Sequence, residues 1–169
     1  MTRDEWDARI SDIGFGLWVG EVAVRAYPQW LRELGIDTVV SVMTGEQHDR
    51  YDDLYPVHGS LTHRKFYADD RSALSIDQIE EIISACGKVT LVHCVSGSNR
   101  STAIALCYLM ARADLPPLTA ANRYYPARGK HMAATHHGMP QMTHEMETNV
   151  ARFAAVCVSY AVPRGGVAD

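Results

Sequence analysis

The sequence carries no excess of positive charge: sixteen Lys and Arg stand against twenty Asp and Glu, a formal net charge of -4 over 169 residues. That balance excludes a broad basic field holding nucleic acid or an anionic membrane, so any cationic site has to be local. Cysteine is scarce as well. Cys86, Cys94, Cys107 and Cys157 are too few for a disulfide framework and show neither a CxxC pair nor zinc-ligand spacing. The expectation is four thiols in a reducing compartment. Long apolar runs are missing: the longest, Ala103 to Ala111, falls far short of the roughly 20 residues needed to span a bilayer. The charged opening, Met1 to Ile10, lacks the apolar stretch of a signal peptide. A soluble, cytoplasmic protein with no membrane partner is expected. Its 47% hydrophobic content and its length suit one compact domain, here taken as residues 1–163 with a frayed tail over 164–169.

What is present is an alternation of strand and helix signals. Phe15 to Val19, between Gly14 and Gly20, reads as a short buried strand. Ala23 to Leu34 has helical spacing, with Pro28 starting a second short helix and Gly35 stopping it. Ile36 to Met43 is rich in β-branched residues and reads as a strand, after which the polar stretch Glu46 to Asp53 reads as a loop. Leu54 to Phe66 reads as one or two short strands. Ser75 and Gln78 match a capping box that opens a helix with Ile76, Ile79, Ile82 and Ile83 on one face and Gly87 beyond its end. Val89 to His93 is a continuous apolar strand of the kind buried on both faces. Ser101 to Arg112 is a nearly all-apolar helix. Leu118 to Tyr125 reads as a helix ended by Pro126, Ala127 to Pro140 as irregular, and Met142 to Tyr160 as a final amphipathic helix. This pattern predicts an α/β fold, a single domain with a central, mainly parallel sheet flanked by helices. Ligands of such folds bind beyond the carboxyl ends of the strands, which points at the loop after Val92.

That loop reads His93-Cys94-Val95-Ser96-Gly97-Ser98-Asn99-Arg100-Ser101. Between a buried strand and a helix N-terminus its backbone N–H groups converge and the helix dipole adds positive potential, which prepares an anion site. Gly97 lets the chain curl. A cysteine at the mouth of such a site, with Arg100 nearby, can have its pKa lowered from about 8.5 into the range of about 3.5 to 7.5, making Cys94 a nucleophile at neutral pH. Arg100 offers a planar fork that matches two phosphate oxygens, and an arginine at a helix N-terminus is poor for the dipole unless an anion lies opposite. Cys86, Cys107 and Cys157 read as packing residues.

Together these residues resemble the cysteine-dependent protein phosphatases with the His-Cys-x5-Arg-Ser/Thr signature, and among them the small dual-specificity group. The resemblance runs from about Gly16 to the final helix. It includes Gly16-Leu-Trp-Val-Gly-Glu21, Leu31 to Gly35, Ile36 to Val42 and the helix Arg100 to Met110, and it fades beyond Leu118. It implies that Cys94 forms a cysteinyl-phosphate. It further implies that Val95, Ser96, Gly97, Ser98 and Asn99 cradle the phosphate with Arg100, and that Ser101 helps the sulfur leave. It also implies a general acid before the preceding helix, where Asp69 and Asp70 stand; Asp70 aligns better and Asp69 is the second choice. No metal or cofactor is implied, and the partner expected is a phosphorylated protein or peptide.

Asn99 stands where dual-specificity enzymes more often carry Ser, Thr or Ala and where the related RNA 5′-triphosphatases carry Asn. Those enzymes follow the arginine with Thr-Gly, whereas this chain has Ser101-Thr102. Nucleic acid is a partner only under that alternative. The absence of lysine at positions 95, 96, 98 and 99 argues against a phosphoinositide substrate. The low-molecular-weight tyrosine phosphatases, with Cys-x5-Arg at the N-terminus, have the wrong order. A rival from another class is a phosphate-binding pseudophosphatase without turnover. His93 either orients the loop or merely ends the strand. The tract His131, His136, His137 and His144 lacks zinc-site spacing and reads as surface histidines. Arg123, Arg128, Lys130 and His131 form the one local basic cluster, read as a solvated face.

Overall fold

In the computed structural model of the chain, residues 1–57, 59–69, 74–134, 142 and 144–161 are described. At the centre lies β5 (Thr90–His93), whose four residues are all buried. It pairs in parallel with β2 (Leu17–Gly20) on one side and β3 (Thr38–Met43) on the other. Beyond β3 runs β4 (Thr62–Tyr67), also parallel, and beyond β2 runs β1 (Ile10–Gly14), antiparallel, so the sheet order is β1-β2-β5-β3-β4. Parallel strands need crossovers, and helices supply them on both faces.

The period-2 alternation of the strands splits the core into two layers. Val19, Val40, Val42 and Val92 face α4 (Ile76–Ser84), α5 (Arg100–Arg112), α6 (Pro117–Ala134) and α7 (His144–Ala161), where Leu74, Ile79, Leu109, Met146 and Phe153 complete the larger layer. Val39 and Leu91 face the other way, toward Trp6 of α1 (Arg3–Asp7), Val24 of the 3-10 turn Val22–Ala26 and Leu31 of α2 (Pro28–Glu33). The Trp6 indole N–H also finds a partner there, the Val24 carbonyl at 2.8 Å.

The α/β architecture, the central parallel sheet and the capping box at Ser75 match the sequence reading. Three local readings need correction. The strand read at Phe15 begins at Leu17, because Phe15 sits in the β1–β2 turn at φ 56 between Gly14 and Gly16, also at positive φ, with its ring half exposed beneath the Arg123 guanidinium. Glu46 to Asp53, read as a loop, lies in the helix α3 (Gly45–Leu54). Its only buried residue is His48, so it shows no apolar stripe, and its start is marked instead by the reciprocal capping box of Thr44 and Gln47. Pro126, read as a helix end, lies inside α6, which continues through Ala127 to Ala134 where the sequence reads as irregular. A proline in a helix interior costs roughly 3 kcal/mol or more, which here is offset by anchors on both sides of it: Tyr124 on α5, and Arg123 and Arg128 on backbone carbonyls. The tail 164–169 and the tract residues His136 and His137 lie outside the described residues.

Candidate active site

β5 ends at His93 and α5 begins at Arg100, so residues 94–99 form a loop at the carboxyl edge of the sheet, as the topology requires. Four of its carbonyls are held by donors outside the loop. His93 Nδ1 lies 3.0 Å from the Cys94 carbonyl, the Val22 N–H donates to Val95 at 3.0 Å, Arg128 Nε to Gly97 at 3.2 Å and Thr102 Oγ1 to Ser98 at 2.7 Å. A trans peptide points its N–H opposite its C=O. Pinning these carbonyls outward therefore turns the N–H groups of Val95, Ser96, Ser98 and Asn99 to the inner side of the loop. Gly97 makes the turn possible at φ 68, where a Cβ would meet the Gly20 carbonyl at 2.6 Å and also the Arg128 guanidinium. Ser96 and Ser98 join hydroxyls at 2.7 Å across the turn.

Cys94 is buried at the base of this loop, its sulfur 3.3 Å from the Ser101 hydroxyl. Burial pushes its thiol pKa up. The Arg100 charge, the Ser101 hydroxyl and the backbone N–H groups of Ser101 and Asn99 outweigh that and hold it below the ordinary value. Arg100 is itself buried, with Nη1 donating to Gln47 Oε1 at 2.9 Å and to the Ala68 carbonyl at 3.0 Å. The second of these contacts ties down the chain just before Asp69, which is exposed. Asp70 lies outside the described residues.

Cys94, Ser101 and Arg100 are thus brought together with Val95, Ser96, Gly97, Ser98 and Asn99 as the sequence predicted. Three further residues serve the loop, and two of them, Gln47 and Arg128, were not singled out for it. Gln47 does so through α3; its signal was the Thr44-x-x-Gln47 capping pattern. His93 orients the loop rather than merely ending a strand. Arg128, read as part of a solvated basic face, is fully buried, with Nη1 on Ser11 Oγ at 3.2 Å and Nε on the loop. Nothing in its sequence neighbourhood marks it, because its burial follows from α6 continuing through Pro126. Tyr124 is buried beside it and its hydroxyl meets Thr102 Oγ1 at 2.7 Å. Thr102 spends its one hydrogen on Ser98, so Tyr124 is the donor in that pair. Among the described residues no group of three His, Cys, Asp or Glu is placed to hold a metal ion, and no helix is long and apolar enough to cross a membrane.

Residues 17–145 match the family model described as the dual specificity phosphatase catalytic domain. No curated protein matches the chain. Among solved structures, a mouse putative dual specificity phosphatase complexed with zinc tungstate superposes with a TM-score of 0.72 at 16% identity, covering 93% of this chain and 94% of that one. Human DUSP28 gives 0.68 at 15%, covering 88% and 94%. PTPMT1 in complex with PI(5)P gives 0.66 at 10%, covering 90% and 98%. At these identities the likeness is one of fold.

Proposed function

The chain belongs to the dual specificity phosphatase family, and from that premise we propose that it hydrolyses phosphate monoesters of phosphorylated proteins or peptides through a cysteinyl-phosphate intermediate. The observation that carries this reading is the buried Cys94 thiol, held below its ordinary pKa by Arg100, Ser101 and the loop N–H groups. The same positive groups that favour a thiolate favour the equatorial oxygens of a phosphoryl group during transfer.

In the first step the Cys94 thiolate forms an S–P bond as the ester P–O bond breaks, and the leaving oxygen takes a proton. Asp70 is the donor in this reading, with Asp69, which follows directly on the Ala68 carbonyl that Arg100 grips, as the second choice. In the second step water forms a new P–O bond as the S–P bond breaks, its proton returning to the same carboxylate. The Ser101 hydroxyl, already 3.3 Å from the sulfur, stabilises the departing thiolate. A peptide is favoured over a phosphoinositide because no Lys or Arg lies among residues 95–99 to meet further phosphates.

The test is hydrolysis of p-nitrophenyl phosphate in the presence of chelator, followed by a panel of phosphotyrosine and phosphothreonine peptides, a short-chain phosphoinositide and triphosphorylated RNA. Cys94→Ser is expected to lower turnover by about a thousandfold or more, as losses of a nucleophile do, and Arg100→Ala by about a hundredfold or more. Unchanged turnover in Cys94→Ser, or phosphate-dependent binding without any turnover in the wild type, overturns the enzymatic reading. A preference for the lipid or for γ-phosphate release from RNA overturns the substrate class.

A further inference from the structure

We propose that Ser41 and His63 are positioning residues for Cys94: they hold His93 in the tautomer whose Nδ1–H grips the Cys94 carbonyl. The geometry comes from the sheet. Ser41 on β3 stands in register with His93 on β5, and His63 on β4 pairs with Val39, two residues before Ser41. Period 2 therefore puts all three side chains on one face, toward the 3-10 turn that carries Arg25. Ser41 Oγ lies 2.6 Å from His93 Nε2 and 2.8 Å from His63 Nε2, and Arg25 Nη1 reaches it at 3.4 Å.

Donor bookkeeping fixes the direction of each bond. A carbonyl only accepts, so His93 must carry its hydrogen on Nδ1 to bond Cys94. Its Nε2 is then a bare lone pair, and Ser41 must donate to it. The Ser41 oxygen, with its one hydrogen spent, accepts from His63 Nε2–H and from Arg25. The chain of bonds thus runs one way, from His63 and Arg25 through Ser41 and His93 to the carbonyl of Cys94. The opposite tautomer of His93 would face a second donor at Ser41 and lose the Cys94 bond.

The charges facing this cluster keep both imidazoles neutral, so that the tautomer and not the charge is what varies. Burial first, then the Arg25 cation, pushes His93 down to about 3 and His63 down to about 4. Arg25 is fully buried and pairs with Asp52 of α3 at 2.7 Å, and Lys65 of β4 pairs with the same carboxylate. His48 of α3 adds a third imidazole on that side and is itself pushed down by burial. The pinned Cys94 carbonyl fixes the peptide plane next to Cys94, so a loose tautomer loosens the placement of the sulfur against its own donors, Ser101 and Asn99.

The kinetic part of this proposal rests on Cys94 being the nucleophile, and the test separates the two. Histidine 15N chemical shifts report the His93 tautomer, and the pH dependence of Cys94 alkylation by iodoacetamide reports its thiolate without any phosphatase assay. The wild type is expected to show His93 as the Nδ1–H tautomer. In Ser41→Ala the His93 signals shift toward a tautomer mixture. The alkylation midpoint moves up, with the thiolate fraction on the acidic side falling about fivefold, the worth of one ordinary hydrogen bond. kcat follows with KM unchanged. His63→Leu moves the same readouts in the same direction, and carries the test if Ser41→Ala fails to fold. His63→Gln, whose amide N–H takes the place of Nε2–H, recovers most of the difference. An Nε2–H tautomer in the wild type, or an unchanged alkylation midpoint in both Ser41→Ala and His63→Leu, overturns the proposal. Ser41-dependent alkylation in a protein with no phosphatase turnover upholds the positioning role and overturns the proposed function instead.

Discussion

Burial alone makes a thiol harder to ionise, and two cysteines of this chain show it: Cys86 is pushed up to about 11 and Cys107 further. Cys94, as deeply buried, moves the other way because the groups around it are an arginine, a hydroxyl and backbone N–H donors. Environment and not residue type separates the four thiols, and that separation was legible in the sequence because the donors are the neighbours of Cys94 in the chain. The partner that aims Arg100 was not legible, because Gln47 is 53 residues away. Gln47→Ala removes one acceptor at Nη1 while the Ala68 carbonyl stays. A misaimed clamp costs transition-state binding, so kcat/KM is expected to fall about tenfold to a hundredfold. The α3 helix signal should stay in the far-ultraviolet dichroism spectrum. A variant with full kcat/KM would show that Gln47 only caps a helix.

At the scale of elements, α3 is the instructive case. Hydrophobic periodicity finds helices that bury a face, and α3 buries only His48, so its polar sequence reads as loop although its cap is plainly written at Thr44 and Gln47. Because helix formation here leans on its cap, Thr44→Ala is expected to destabilise the protein by about 1 kcal/mol in urea unfolding, the usual worth of an N-cap side chain. Gln47 rides on that first turn, so the same variant should weaken phosphate ester turnover modestly while Thr44→Ser restores both. A Thr44→Ala protein of unchanged urea midpoint would contradict the role of the cap. α6 misled in the opposite sense. Pro126 is a local helix breaker, and the helix passes through it because Tyr124 and Arg128 lock onto α5 and the loop after β5 from the two sides of the proline.

For the whole molecule, the buried imidazoles set an acid limit on stability. His93 and His63 have folded-state values of about 3 and about 4, below the roughly 6.5 of an unfolded histidine. Between those values the unfolded chain binds protons that the folded chain does not, so stability is complete above about pH 6.5 and is lost as pH falls toward 4. Asp52, whose carboxyl is raised by burial but lowered on balance by Lys65 and Arg25, adds a loss in the same direction at still lower pH. The urea midpoint should therefore fall steadily between about pH 7 and about pH 4.5, and a flat midpoint over that interval would mean the two imidazoles ionise as they do in an unfolded chain. The sequence by itself determined the α/β class, the strand–loop–helix unit and the cluster Cys94, Arg100 and Ser101. Each of these is written in contiguous residues, where local propensity and the spacing of a strand, a glycine and a helix start suffice. Only the tertiary structure decided what surrounds them: Gln47 on Arg100, Ser41 and His63 behind His93, and Arg128 beneath Gly97. Those contacts join residues distant in the chain through sheet register and helix docking, and a polar side chain in such a contact looks, in the sequence, like any polar side chain at the surface.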